Sequence, residues 1–483
     1  MRAGRKFVAK DVPISRGRPR PLFAADYTSS PRKSPGPRRS IAPVEIANER
    51  AGRPAAVGTD AGGRGWVRRI GYRIGGLPIA LRAKWSTGAT PELVLRRAYA
   101  DQYFRIARSV DLAEIGLAVL LAPLVVPVLI VIFTSRNGRT IARSSRRPIW
   151  RQMIDQVRLY VAAGVLAPWY YILELHRQPT IRHARRFAYR WETKGGVFKL
   201  LTNGPRAPTS PLLNKAEFEA FCRERALPTP VVLAIVSPHG IELRAPETEL
   251  RSDLFVKPVN GRGGKGAQRW DFRAGQYFSV EGEAVAWEEL IERMQRGARL
   301  SSLIVQRRIT NHQDLRELAN GALSTVRILT CLDERGPQPI AAIARMAIGQ
   351  NRTVDNLHCG GIAAAVDLQS GQLGRASNLG LDPTLGWITR HPDTHAQITG
   401  TILPMWEAAL SLALRAHRSF ADRALVGWDI ALTADGPVIV EGNGAPDLDI
   451  VQRFYRRGLM DGSFAKSLCV QLERTFQPNS RAA

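Results

Sequence analysis

The chain is short of cysteine and short of acid. Its four cysteines, at 222, 331, 359 and 469, are scattered over 483 residues. None stands in a Cys-x-x-Cys pair, which argues against a zinc ribbon or a disulfide framework and fits a reducing compartment. Asp and Glu number 42 against 69 Lys and Arg, leaving a net charge of +27. The imbalance is concentrated at the N-terminal end, where arginine and proline dominate up to about residue 69 and acids are few. Such a stretch cannot bury enough apolar surface to offset its ordering entropy, so it reads as a disordered tail. Its charge suits an anionic membrane surface or nucleic acid. A solvated tail without a dedicated partner, or an Arg-rich transit peptide, fits the same composition.

Three familiar phosphate-binding loops are also missing. The glycine-rich stretch at 261–266 is followed by residues 267–272, which read as a strand, whereas a dinucleotide fingerprint opens directly into a helix. Gly264-Lys265 is followed by Gly266 and not by Ser or Thr, as a Walker A loop requires. Lys257 precedes the glycines, and the kinase arrangement places its lysine after them.

Length and an ordinary 45% apolar content allow two or three domains. Composition divides the chain into a basic tail (1–90), a helical, apolar region (91–175), a mixed segment (176–245) and a strand-and-helix region (246–475). Residues 66–84 carry glycines that weaken a helix. Residues 91–113 have helical spacing. Residues 115–133 carry no charge and match the length of a bilayer span, with arginines at 136, 139, 143, 146 and 147 behind them. Pro123 and Pro127 suit a kinked span or an interfacial segment, and a buried core helix is the remaining reading. The aromatic stretch 160–173 reads as a packed helix, and the basic stretch 180–190 as a helix facing phosphate, lipid or solvent.

From residue 205 strands and helices alternate, giving an α+β fold. Asn214 caps a helix ending before Pro228, and Lys215 in its first turn opposes the helix dipole, as a phosphate ligand would. A strand then delivers Lys257 to Gly261, Gly263, Gly264 and Gly266, residues that let backbone N–H groups approach an anion. Another strand ends at Gln306. Arg327 and Arg345 interrupt apolar strands, and an arginine there needs an anion, either a ligand's or a structural carboxylate. Asn356 and His358 lie in a loop ahead of Gly360-Gly361, where they either reach a substrate or cap the turn. Finally, residues 426–432 and 437–443 form a hairpin across Thr433–Gly436 that brings Asp429 near Glu441 and Asn443. Two carboxylates and an amide oxygen make a hard-oxygen site suited to Mg²⁺.

The order of these parts resembles the ATP-grasp superfamily, in which two α+β subdomains grip ATP. Arg327, Arg345 and the Asn356–Gly361 loop look like the glutathione synthetase and glutamate-ligase branch, and the whole most resembles the sugar-transfer-associated ATP-grasp family. The match covers about residues 165–475. The resemblance implies ATP and Mg²⁺ as cofactors. Lys215, Lys257 and the glycine loop would hold phosphates, and Gln306 would line the adenine cleft. Asp429, Glu441 and Asn443 would carry Mg²⁺. Arg327 and Arg345 would meet the γ-phosphate or an acyl phosphate, and Asn356 and His358 the acceptor. It further implies a ligase that activates a carboxylate as an acyl phosphate and passes it to an amine in glycan assembly, while the cysteine usage suits the cytoplasm and the basic tail and residues 115–133 suit the inner face of the membrane. Its substrates would be small or glycan-linked carboxylates and amines, with no specific nucleic acid. Arg307 and Arg308 stand where relatives place an acid, and Asp447 where the ligase branch has glycine. A phosphotransferase with a hydroxyl acceptor, or a basic binding protein with a degenerate nucleotide fold, are the competing readings.

Overall fold

A computed structural model describes residues 63–104, 109–198, 201, 210–260, 264, 266–299, 301–460 and 462–476. Most of the basic tail, Gly261 and Gly263 lie outside the described residues.

The described chain opens with helices: α1 (Gly63–Lys84), α2 (Pro91–Phe104), α3 (Ser109–Ser145), α4 (Ile149–Ala163) and α5 (Ala167–Ile172). The glycines of α1 do not break it, contrary to their propensity. A Cβ at Gly75 would stand 2.8 Å from the Trp191 ring, and one at Gly76 only 2.0 Å from the Tyr99 hydroxyl oxygen. These positions are small because neighbours press against them, and that packing overrides local preference. Pro123 and Pro127 sit inside α3 without ending it. The 160–173 stretch divides, because Gly164 closes α4 in the left-handed region (φ 62°) and Pro168 starts α5. Residues 180–190 hold the short helix Ile181–Ala184 and the first residue of another, Arg190–Glu192; Arg182, Arg185 and Arg186 are exposed, whereas Arg190 is buried.

Two antiparallel sheets follow. The first contains β1 (Val232–Ser237), β2 (Gly240–Leu243), β3 (Leu254–Pro258), β4 (Gln268–Arg273), β5 (Gln276–Ser279), β6 (Ala284–Val285) and β7 (Leu303–Arg307), ordered β2-β1-β7-β3-β4-β5-β6. Helix α6 (Lys215–Glu224) precedes it, its N-terminus capped by the Asn214 side chain, which accepts from the Ala216 and Glu217 N–H groups. The second sheet contains β8 (Thr325–Asp333), β9 (Gly336–Met346), β10 (Ile362–Val366), β11 (Leu373–Ser377), β12 (Leu425–Thr433) and β13 (Gly436–Asn443), ordered β11-β10-β9-β8-β12-β13.

Side-chain alternation assigns each sheet a core face and an opposite face. In the first sheet Leu254, Val256, Leu303 and Val305 join the core with Leu290 and Met294 of α7 (Trp287–Gly297). Lys257 and Gln306 therefore share the other face. In the second sheet Val326, Ile328, Ala344, Val426, Trp428 and Ile430 pack with α8 (Trp406–Ser419) and α6. Arg327, Arg345 and Asp429, displaced by one residue, take the opposite face.

Helix α9 (Leu448–Tyr455) ties the helical layer to the second sheet. The Gln452 side chain bonds both backbone groups of Ala188, at 2.9 Å each, and Arg453 donates to the Ile172 carbonyl at 2.6 Å. Helix α10 (Ser463–Phe476) closes the described chain against β8 and α2.

Candidate active site

The site is built on three adjacent strands. Across β8, β12 and β13, Arg327, Asp429 and Glu441 stand directly opposite one another. A bulge makes this possible. From the turn the hairpin pairs Thr433 with Gly436 and Ile430 with Ile439, a register that would set Val440 opposite Asp429. The extra residue at Val440 shifts the register by one, so Asp429 faces Glu441 and Gly427 faces Asn443. Without it, Glu441 and Asn443 would turn to the core face.

Asp429 is buried and heavily bonded. Arg327 donates to both its oxygens, Nε and a terminal nitrogen each at 2.7 Å, and Arg345 adds a contact at 2.9 Å to Oδ2. Burial works to raise this carboxyl, but Arg327 and Arg345 outweigh it and hold it below its ordinary value. Arg345 also lies 3.5 Å from Asp355 and bonds the Thr325 hydroxyl. Asp355 in turn accepts from the Thr325 N–H at 2.7 Å and its hydroxyl at 2.6 Å. Burial pushes the Asp355 carboxyl up, against the pull of Arg345.

Lys257 brings the first sheet to this chemistry. It is buried, and burial pushes its ammonium down to about 8; Glu441 opposes that shift, Lys215 adds to it, and Asp429 opposes it. Two lysines and two carboxylates thus share one electrostatic neighbourhood. Lys215 reaches from the first turn of α6 to donate to the Val259 carbonyl at 3.3 Å, just beyond β3. Gly264 and Gly266 both take φ of 72° and need glycine there; a Cβ on Gly264 would meet the Val354 side chain at 3.1 Å.

The remaining residues singled out from the sequence are placed less directly. Gln306 is buried on the Lys257 face, and its amide donates to the Pro230 carbonyl at 3.2 Å. The Asn356 side chain caps the turn at Leu357–Cys359 by accepting from the His358 N–H, while the His358 ring is exposed. Gly361 permits a close approach, since a Cβ would stand 2.8 Å from the Asp355 carbonyl oxygen.

The donor set accommodates Mg²⁺. Among the described residues no cluster of three or more His, Cys, Asp and Glu could hold a metal ion, and this site offers two carboxylates and an amide instead. Asp429 uses three acceptor positions of roughly four. Glu441 makes no hydrogen bond or ion pair with a described residue, and Asn443 Oδ1 accepts one, from the Ala445 N–H. Two guanidiniums beside these ligands repel a bare dication, so the metal fits best when phosphate enters with it.

Residues distant in sequence extend the polar cluster. Asp447, ahead of α9, pairs with Lys194 and with Arg190 at 3.2 Å, and Arg190 also meets Asp449 at 3.2 Å. Burial would raise the Asp447 carboxyl, but Arg190 and Lys194 hold it far below the ordinary range, with Arg327 adding to their effect. No spacing in the chain announces these pairs, and Asp355 gave no signal beyond its place beside Asn356.

Two antiparallel sheets, with Lys257 on one, a carboxylate–amide hairpin on the other and Lys215 on the helix that precedes both in sequence, define an ATP-grasp fold. Within that class, the family described as sugar-transfer-associated ATP-grasp matches residues 198–466, more than half of the chain, and the chain belongs to it. ATP with Mg²⁺ is the cofactor of the class. No curated protein matches the sequence. Solved structures similar to it include an L-amino acid ligase from Bacillus licheniformis, with 13% identity, TM-score 0.34, 58% of this chain and 53% of that one covered. The ATP-grasp ligase PsnB, complexed with a minimal precursor, Mg and ADP, shows 17% identity and TM-score 0.32, over 56% of this chain and 62% of PsnB. D-alanine–D-alanine ligase from Bacillus anthracis, complexed with ATP, shows 12% identity and TM-score 0.33, over 55% and 68%. The chain thus spans about half to two thirds of these structures.

Proposed function

We propose that this protein is an ATP-dependent ligase that activates a substrate carboxylate as an acyl phosphate and transfers the acyl group to an amine. The observation that carries the reading is the meeting of Lys257 from the first sheet with Lys215 from α6 and with Arg327, Arg345, Asp429 and Glu441 from the second sheet. Attack of a carboxylate on a γ-phosphate brings two anions together, so the chain's contribution is position and positive charge. Lys257 and Lys215 hold phosphate oxygens. Arg327 and Arg345 can exchange the Asp429 carboxylate for a phosphoryl oxygen, and being already desolvated and oriented they are preorganised for it. Bound Mg²⁺ would neutralise phosphate charge, held by Asp429, Glu441 and Asn443. The amine nitrogen then attacks the acyl carbon, forming the C–N bond as the C–O bond breaks and inorganic phosphate leaves, its proton passing to solvent, with Asn356 and His358 on the acceptor side. The sugar-transfer association in the family description supports a step in glycan assembly, and the reading extends to a small or glycan-linked acid and amine as substrates at the cytoplasmic side of the membrane.

Screening of acid and amine pairs for ADP release tests the reading. A productive acid should yield a hydroxamate when hydroxylamine replaces the amine. A phosphorylated hydroxyl product with no hydroxamate would establish a phosphotransferase instead.

A further inference from the structure

Among the described residues, one helix is long and apolar enough to cross a membrane, and it is α3. Its surroundings indicate a different use. One face is committed to the protein along nearly the whole helix: Glu114, Ala118, Val126, Ile130, Phe133 and Asn137 are buried, at helical spacing. Glu114 bonds Arg69 at 2.6 Å, Asp111 bonds Arg73 at 3.0 Å, and Thr134 bonds Tyr171 and Gln156. The opposite face is bare. Leu120 and Leu124 are 73% and 68% exposed, and Leu112, Val119, Val128 and Val131 are exposed with them. Pro123 and Pro127 lie on this same face. From Leu112 to Ile132 the helix extends about 30 Å.

The bare face continues in two ways. Its row runs onto exposed Arg136, Arg139 and Arg143. Neighbouring α4 exposes Trp150, Ile154, Val157 and Val161 beside Arg151 and Arg158. The acids of α3 and α4 offset none of these arginines, since Asp111, Glu114 and Asp155 are paired with Arg73, Arg69 and Arg147.

We infer that the outer face of α3 and the adjoining stripe of α4 form a docking surface that lies in the interface of an anionic lipid bilayer, without crossing it. An apolar face edged by arginines matches acyl chains beneath negative headgroups. A crossing would draw the elements packed beside α3 into hydrocarbon, including α4 with its exposed Arg151 and Arg158, where charge is disfavoured. Docked by its side, α3 keeps its protein contacts and leaves the sheets in water.

The test is flotation of the full chain with vesicles of phosphatidylcholine alone and of phosphatidylcholine mixed with phosphatidylglycerol. It compares wild type, the combined Leu120→Gln, Leu124→Gln, Val128→Gln variant, and a combined Arg136→Glu, Arg139→Glu variant. Wild type should float with the mixed vesicles and be released by alkaline carbonate. The apolar-face variant should lose binding by more than about tenfold, and the charge variant should lose its preference for anionic vesicles. Both alter exposed side chains, and circular dichroism checks that they fold. Flotation of the apolar-face variant equal to wild type would overturn the inference, because the N-terminal basic residues would then suffice. Resistance to alkaline extraction would overturn it in favour of a span. Absence of flotation, with a soluble dimer that the apolar-face variant dissociates, would overturn it by assigning the face to a second copy of the chain.

Discussion

Asp429 and Glu441 face each other across one hairpin and both suit Mg²⁺, yet their removal should cost the fold very different amounts. Asp429 is the counter-ion of two guanidiniums whose side chains are only 16% and 9% exposed. Truncating it to alanine leaves Arg327 with no acid on its strand neighbours and Arg345 with only Asp355. Breaking a buried pair by removing one partner costs about 3–5 kcal/mol, because the remaining charge stays desolvated. Glu441 is half-buried and, though it attracts Lys257 at longer range, makes no hydrogen bond or ion pair with a described residue, so Glu441→Ala should cost less, about 1 kcal/mol. Urea unfolding without nucleotide measures both. Combining Arg327→Met with Asp429→Ala should recover part of the loss by removing the stranded cation, a coupling that a double-mutant cycle isolates. Equal midpoints for the two single variants, or no recovery in the double variant, would refute the assignment of Asp429 as the electrostatic anchor.

Two further predictions follow from local geometry. Lys257 has a folded pKa of about 8 against an ordinary 10.5. The folded protein therefore binds fewer protons between those values, and the penalty for burying the ammonium is full below pH 8 and vanishes as pH rises through 10.5. Phosphate would raise that pKa, so Mg·ATP binding should take up about half a proton near pH 8 and close to one near pH 9, and Lys257→Met should abolish the uptake. Calorimetry in buffers of different ionisation enthalpy reads it. In α1, Gly71 has open space where a Cβ would go, whereas Gly76 abuts Tyr99. Gly71→Ala should stabilise by about 0.5–1 kcal/mol and Gly76→Ala should destabilise by about 1–3 kcal/mol in urea unfolding.

Legibility followed the range of the interactions. The strands around Lys257, Arg327, Arg345 and Asp429 could be read because a charge inside an apolar run is conspicuous, and the hairpin because its turn residues sit between two such runs. Asn214 announced its helix through local capping chemistry. The bulge at Val440 was not visible, although it alone sets Glu441 opposite Asp429. Nor was the partner of the arginines, since whether a buried guanidinium meets ligand or protein depends on register between strands about 100 residues apart. The Arg190–Asp449 and Lys194–Asp447 contacts join segments more than 250 residues apart in sequence, beyond any local pattern. Helix α1 was concealed because its glycines serve contacts with Trp191 and Tyr99.

Thermal unfolding of the full chain with Mg²⁺ alone, with ATP alone and with both, for wild type and Glu441→Ala, shows whether the hairpin carboxylates hold Mg·ATP. A ligand that binds only the folded state at a hundredfold excess over Kd adds about 2.7 kcal/mol. Wild type should respond little to Mg²⁺ alone, because Arg327 and Arg345 flank the ligands, and should show a clear rise in Tm with Mg·ATP. Glu441→Ala should unfold near wild type without ligand and lose most of that rise. A wild-type protein that is folded and shows no shift at saturating Mg·ATP, or a Glu441→Ala variant that shifts as wild type does, would contradict that role of the hairpin.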